Sequence, residues 1–415
     1  MLATNDITPE SVKTVRPSAL RALGLRSSSS PLLPSRRSHP TEAIEEGNRG
    51  KHAKNSQDIT FDHAIPTCKE SIDLTLPNEP LEKSVLSVMQ KLFPGLIGSA
   101  HRAILERVSG AMTNAVFFVT VNKKRFLMRV YGHGCEQILD RENELAWLAR
   151  LSHLGLGPRM LGIFGNGRFE EYLQSTTLSY SDMRQPFISE QIASRLCQLH
   201  TIVDIYPPSA KEARQLSVWQ NVHKWLAAIQ DVLPDLMKKN EKWAAKLELF
   251  DIDLLKEEID ICQRLLKTIQ SPIVFGHNDT QYGNILKLDT TGELVVIDFE
   301  YAGYNTRGYE IANHFCEWMY DYHSESPASM KVDAFPTQEE QKRFLKAYIA
   351  TNNLKSPVDT LQKEALIWVM ASHLSWGLWG LVQANQSDID FDYFLYSMQR
   401  LGAFRQELTH WSSLD

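Results

Sequence analysis

Beyond residue 174 the apolar residues recur at helical spacing almost everywhere, and one island of strand interrupts them. Helices are expected at 189–200, 218–229, 254–269, 338–349, 363–382 and 393–407. The island is Asn284–Leu288 and Glu293–Asp298, two short apolar runs joined by Asp289 to Gly292. With the turn centred near Thr291, Asn284 lies seven positions before it and Asp298 seven after it. An antiparallel hairpin would then set these two oxygen-bearing side chains opposite each other. Asp279 sits in the segment His277-Asn278-Asp279-Thr280-Gln281-Tyr282-Gly283-Asn284, which leads into the same end.

Two carboxylates and an amide converging there suit a hard cation such as magnesium, which takes few protein oxygens and leaves room for phosphates. The spacing also follows a kinase catalytic loop: an Asp, an Asn five residues on, a strand pair, then Asp-Phe. Here Asn284 follows Asp279 by five and Asp298 follows Asn284 by fourteen. Any one of these residues alone is more often a turn or cap residue. Together, with the strand pair and Ile297-Asp298-Phe299-Glu300, they predict a phosphotransferase site.

The earlier half supplies matching parts. From about Lys69 the chain becomes globular, with a helix expected at Glu82–Leu92. Ala115–Val121 and Arg125–Val130 form a predicted hairpin around Asn122-Lys123-Lys124. A helix follows at Asp140–Leu151, then strands at 160–164 and 168–172 around Gly165-Asn166-Gly167. The segment from Ser109 to Asn114 is an ordinary loop by composition. In a kinase-like lobe it is where backbone N–H groups and small hydroxyls would cover phosphates. Arg129 falls on the second strand of the hairpin, where protein kinases place a Lys, and Glu144 on the next helix could pair with it. The bland alternatives are a surface strand charge and a solvated helix face.

Charge and cysteine usage narrow the class. Residues 1–60 carry nine Lys/Arg and six Asp/Glu; the whole chain is at −6, so the remainder is at −9. An acidic body argues against a nucleic-acid partner, which wants a basic footprint. The five cysteines stand far apart with no CxxC, which predicts reduced thiols in an intracellular, cytoplasmic protein. Residues 1–65 are expected to form a disordered basic tail rich in Ser and Pro. Ala365–Val382 contains no Asp, Glu, Lys or Arg, but its Trp residues lie inside it and not at its ends. A buried core helix is expected there, and no integral membrane segment.

HNDTQYGNIL (277–286), VVIDFEYAGYNTRGYEIANHFCEWMYDY (295–322) and ASHLSWGLWGLVQA (371–384) together resemble the choline/ethanolamine kinases. The similarity runs from about Val108 to the C-terminus. It implies an α+β, bilobal, protein-kinase-like fold of the aminoglycoside-phosphotransferase type. A small β-rich N-lobe would span 66–173 and a mostly helical C-lobe 174–415. It implies ATP and magnesium as cofactors, and phosphorylation of the choline hydroxyl as the first step of the CDP-choline route to phosphatidylcholine. By position, Asp279 is the expected base, Asn284 and Asp298 the metal ligands, and Gln281 a helper near the transferred phosphoryl. Ser109, Asn114, Arg129, Glu144, Glu171 and Leu173 fall on the nucleotide side, the last two in the lobe-connecting hinge. The amino-alcohol side is expected to comprise Glu300, Tyr301, Glu317, Tyr322, Trp376, Trp379, Tyr393 and Tyr396. Aromatic pairs at helical spacing are ordinarily core. At these family positions the resemblance implies a cage for a quaternary ammonium, worth about 2 kcal/mol or more per desolvated cation–π contact.

Ethanolamine kinase, or an enzyme acting on both alcohols, is the nearest rival. Ethanolamine presents three N–H donors and gains from carboxylates and hydroxyls, whereas choline gains from aromatic faces. A non-catalytic kinase-like scaffold would be expected to lack Asp279, Asn284 or Asp298, and all three are present. A protein kinase would carry GxGxxG and Ala-Pro-Glu segments, which are missing. Oligomeric state stays open, a homodimer included.

Overall fold

The computed structural model describes residues 65–98, 100–108, 114–131, 140–239, 241–247, 250–387 and 389–414. The expected tail and Ser109 lie outside the described residues. The described chain falls into two compact units. The first is residues 65–131 together with Arg159–Tyr172; the second is 140–158 and everything from Leu173 onward.

The first unit is a five-stranded antiparallel sheet packed against one long helix and a short one at Pro94–Ile97. Helix α1 is Asn78–Leu92. The strands are β1 (Ile104–Val108), β2 (Asn114–Val121), β3 (Lys124–Tyr131), β4 (Met160–Phe164) and β5 (Gly167–Glu171), in the order β1-β2-β3-β5-β4. The β2–β3 hairpin forms where the β-branched and aromatic runs predict it. Its two turn residues, Asn122 and Lys123, have φ of 49° and 63°. Two consecutive positive φ values match a hairpin turn to the right-handed strand twist. Val85, Met89 and Leu92 of α1 pack with Val119, Met128 and Phe169 of the sheet to form the core.

The second unit is mostly helical. Helix α2 (Arg141–Leu154) is capped at its start by the Asp140 side chain and closed by Gly155 in the left-handed region at φ 67°. Then come β6 (Ser175–Thr177), α3 (Pro186–His200), α4 (Ser217–Lys239) and α5 (Ile252–Leu266). Four short strands follow: β7 (Ile273–Gly276), β8 (Ile285–Leu288), β9 (Leu294–Val296) and β10 (Gly303–Thr306). The last four helices are α6 (Arg307–Glu317), α7 (Gln338–Thr351), α8 (Val358–Gln386) and α9 (Tyr393–Ser412). Thr337 and Glu340 form the expected capping box at the start of α7.

Helix α8 is the only helix among the described residues long and apolar enough to cross a membrane, and 94% of its apolar window is buried. It packs against α4, α6 and α9, with Met370, Leu374, Leu378 and Leu381 in the core of the unit. That is the environment of a core helix.

Two small sheets hold the catalytic segment. β7 pairs antiparallel with β10, and β8 lies between β6 and β9. The β8–β9 register places Ile285 opposite Val296. One step out, Asn284 O accepts from Ile297 N at 2.9 Å. Asn284 therefore faces Ile297 and not Asp298, which corrects the expected pairing by one residue. The cause is the turn: four residues, 289–292, are closed by Gly292 N donating to Leu288 O, with Gly292 at φ 70°. The hairpin is thus centred between residues 290 and 291.

Candidate active site

Between β7 and β8 the chain turns through His277–Asn284. Asn278 takes a left-handed backbone, φ 66°, and is held on four sides. Its N–H donates to Glu310 Oε2 (2.8 Å) and its Nδ2 to Tyr301 O (2.9 Å). Its Oδ1 accepts from Asn305 Nδ2 (3.0 Å) and its backbone O from Asn313 Nδ2 (3.1 Å). Thr280 donates its hydroxyl to Glu310 Oε1 at 2.5 Å, and its backbone O accepts from His314 Nδ1 at 2.8 Å. Glu310, Asn313 and His314 are thus one face of α6, spaced i, i+3, i+4, and they clamp the backbone on either side of Asp279. A Cβ at Gly276 would come within 2.5 Å of Glu310 Oε2, so only glycine lets that carboxylate reach the loop.

The two buried histidines here have fixed tautomers. His277 Nδ1 accepts from Asp279 N, which leaves Nε2 to donate to Ile297 O. His314 Nδ1 donates to Thr280 O while Nε2 accepts from Trp318 Nε1 (3.2 Å). Burial pushes both imidazoles down to about 4, so they are neutral hydrogen-bonding spacers at physiological pH.

Asp279 is where the charges meet. Burial first, then the fields of Glu317, Glu300 and Asp298, push its carboxyl well above the usual carboxylate range. Asn284 Nδ2 partly opposes this by donating to Asp279 Oδ2 (2.8 Å) and to its backbone O (2.9 Å). Asp298 follows β9 with a left-handed backbone, φ 66°, and the adjacent Phe299 ring packs against His277 with centroids 4.8 Å apart. Gln281 closes the turn: its Oε1 accepts from Gly283 N.

Asp298, Glu300 and Glu317 all act on Asp279 through their fields, and this excess of acid favours cations. Asn284 spends its Nδ2 on Asp279 and keeps Oδ1 for another partner. Among the described residues no three His, Cys, Asp or Glu side chains cluster closely enough to hold a metal by themselves. One amide and one carboxylate completed by phosphate oxygens is the donor set magnesium uses in such sites, so these residues fit it.

Around this acidic point stands a continuous set of rings. Trp379 Nε1 donates to Tyr301 OH at 2.9 Å, and Tyr301 meets Trp376 edge-on at 5.3 Å. Trp376 meets Trp379 at 5.3 Å, and Trp379 meets Tyr393 at 5.6 Å and Tyr396 at 6.1 Å. Tyr320 joins Tyr396 (4.9 Å) and stacks on Tyr322 (5.8 Å). Glu317 lies at this end of α6, where both its oxygens are engaged. Arg400 Nη2 donates to Oε1 and Tyr322 OH to Oε2, each at 2.6 Å.

The model for the choline/ethanolamine kinase family matches residues 105–405. The chain belongs to the choline/ethanolamine kinase family. It is 38% identical to probable choline kinase 2 of Arabidopsis thaliana over 80% of this chain and 92% of that one. It is 30% identical to the choline kinase of Saccharomyces cerevisiae over 83% and 72% respectively. The solved ethanolamine kinase of Plasmodium vivax superposes with a TM-score of 0.67 at 27% identity, covering 81% of this chain and 93% of that one. The fold is accordingly that of the kinase-like small-molecule phosphotransferases.

The residues expected on the amino-alcohol side all lie in the second unit. Asp279 bonds Asn284, the neighbouring Asn278 bonds Tyr301, and Tyr301, Trp376, Trp379, Tyr396, Tyr322 and Glu317 follow through the contacts above; Asp298 and Glu300 reach Asp279 through their fields. Tyr393 touches the cluster through Trp379 and anchors Ser387, whose hydroxyl donates to it at 3.2 Å. The described residues expected on the nucleotide side are divided between the two units. Arg129, buried on β3, pairs with Glu170 at 3.2 Å, and Glu170 also holds Arg168 at 2.6 Å. Glu144, buried on α2, pairs with Arg141 at 2.7 Å. Glu171 takes Arg159 through both carboxylate oxygens, and Leu173 O accepts from Ser175 Oγ. Asn114 opens β2 opposite Tyr131.

Glu310, Asn313, His314, Tyr320 and Arg400 do structural work at the site that sequence reasoning did not anticipate. For the first three the available signal was polar residues at i, i+3, i+4.

Proposed function

We infer that this chain transfers the γ-phosphoryl group of ATP to the hydroxyl of choline, giving phosphocholine and ADP. The carrying observation is the ring cluster Tyr301–Trp376–Trp379–Tyr396, tied to the catalytic loop by Asn278 Nδ2 on Tyr301 O. Aromatic faces attract a quaternary ammonium that offers no N–H donor.

In this reading Asp279 orients the choline hydroxyl and takes its proton as the new O–P bond forms and the bond from the γ-phosphorus to the β,γ-bridging oxygen breaks. A carboxylate destabilised by burial and by like charges is a stronger base than one in water, and a positioned base contributes roughly 10²–10⁴-fold. The α6 clamp through Glu310, Asn313 and His314 keeps that carboxylate in place without moving a proton itself. Asn284 and Asp298 would hold magnesium, which when bound offsets charge on the transferring phosphates. Gln281, by closing the Gly283 turn, shapes the same loop. Ser109, Asn114, Arg129, Glu144, Glu171 and Leu173 belong to the nucleotide side, with residues 66–173 forming the nucleotide lobe and 174–415 the catalytic lobe. The four described cysteines are all free, as suits a protein of the cytoplasm, where thiols stay reduced.

Ethanolamine as an additional substrate is favoured by one observation, the acid-rich surroundings of Asp279, which would suit a primary ammonium. Both readings are tested together with ATP, magnesium and a panel of choline, ethanolamine and a simple alcohol. Phosphocholine as the preferred product, by kcat/KM, is the expected result. Turnover of none of them, with ATP binding intact, would overturn the reading in favour of a scaffold.

A further inference from the structure

Arg400 is the largest charged side chain fully buried near the site, and its surroundings account for it only in part. On α9 it donates through Nη2 to Glu317 Oε1 at 2.6 Å and lies 3.4 Å from His373 Nδ1 through Nη1. Its guanidinium stands 4.6 Å from the centroid of Tyr320 and 5.2 Å from that of Tyr396. No acceptor meets its Nε. A buried ion pair is weak support for stability, because apolar residues of similar volume often serve as well. Here the pair sits under two rings of the aromatic cluster and fixes the carboxylate at its centre.

We propose that Arg400 is a specificity-determining positioning residue: it cancels the charge of Glu317 and occupies Oε1, so the ring end of the site selects a trimethylammonium over a primary ammonium. This rests on the reading of the chain as an amino-alcohol kinase. With Tyr322 OH on Oε2, both oxygens of Glu317 already have strong donors. A primary ammonium brings three N–H groups that need such acceptors, and it leaves water at a cost unless it finds them. A trimethylammonium needs only apolar and aromatic faces. The remaining attraction for a cation comes from the acidic point at Asp279.

The test is the ratio of kcat/KM for choline to that for ethanolamine in the full-length enzyme. Arg400→Met frees a charged acceptor, and a hydrogen bond to a charged group is worth enough to move the ratio toward ethanolamine on the order of ten- to a hundredfold. The shift should appear in KM more than in kcat. Arg400→Lys keeps the charge and a donor, and should hold the ratio near wild type. The Arg400→Met/Glu317→Gln double variant removes both charges and should return most of the shift. If Arg400→Met does not fold, Tyr322→Phe frees Oε2 without touching the ion pair and should move the ratio the same way by several-fold. A merely structural Arg400 would lower both substrates alike, so an unchanged ratio in folded Arg400→Met, or in Tyr322→Phe where that variant stands in, overturns the proposal. So does a double variant shifted as far as the single. A wild type inactive on both alcohols is a different outcome: it refutes the kinase reading itself.

Discussion

Asp279→Asn should move activity and stability in opposite directions. Activity falls because the base is gone: a loss of about 10²–10⁴-fold in kcat, or roughly 3–5 kcal/mol of transition-state stabilisation. Stability rises because the native fold buries this carboxylate beside three other acids, Glu317, Glu300 and Asp298. Burying an ion costs several kcal/mol. The Asn284 bond to Oδ2 returns about 1.5–3 kcal/mol of that, and an Asn at 279 can still accept it. A net gain of about 1–3 kcal/mol is expected, which at this chain length is a Tm rise of a few degrees. The sign also depends on pH. The folded carboxyl lies above its unfolded value of 3.8, so between the two values the native state binds more protons than the unfolded one. Wild-type stability is then full at acid pH and declines as pH rises through the folded value. The variant lacks this decline, so its Tm advantage should be smallest in acid and grow as pH rises through the folded value. Circular-dichroism melts across pH, paired with a coupled ADP-release assay, measure both arms. Turnover within tenfold of wild type would refute the base assignment. A variant less stable than wild type at pH 8 would refute the electrostatic account of the loop while leaving the base assignment standing.

Glu310 gives a second pH signature of the same sign. Burial raises it from 4.5 to about 7 despite the donors Thr280 and Asn278, so it should cost about 3 kcal/mol of stability as pH climbs through that window. Glu310→Gln should flatten urea midpoints between pH 5 and 8 and, with one oxygen left for two donors, lower turnover; an unchanged slope would count against it. Deleting residues 1–55 should leave KM and kcat within about twofold, since the family match begins at residue 105 and every described element begins later than the cut; loss of folding on truncation would contradict this.

Much of this architecture could be read in the sequence wherever a local rule governs. The β2–β3 hairpin follows from strand-forming runs on either side of a short polar turn. The capping box at α7 follows from Thr337 and Glu340 alone. The unread parts depend on distance or on burial from all sides. β7 pairs with β10, whose sequence Gly-Tyr-Asn-Thr has no strand character, because the catalytic loop between them brings both ends together. β6 meets β8 across more than a hundred residues. Helix α6 is buried along nearly its whole length, yet the side toward the loop is polar, with Glu310, Asn313, His314 and Glu317, so its burial there does not follow from apolar character. The Asn284–Asp298 pairing missed by one residue because register depends on turn length, and four turn residues shift the centre from a residue to a bond.

That polar side of α6 explains how the two ends of the site keep their spacing. Glu310, Asn313 and His314 hold the loop that carries Asp279, and Glu317, seven residues after Glu310, holds the ring end through Tyr322 and Arg400. Seven residues are two turns, about 10 Å of rigid helix. The loop end and the ring end of the site are therefore held at a fixed separation by one element and do not depend on two loops moving independently. The same helix joins opposite electrostatic designs. Toward Asp279 acids accumulate and the field favours a cation and a base. Toward the rings the one carboxylate is matched by a buried guanidinium. The −9 of the body can steer a cation from afar, and in the proposed reading this division along α6 is what would discriminate between cations of equal charge.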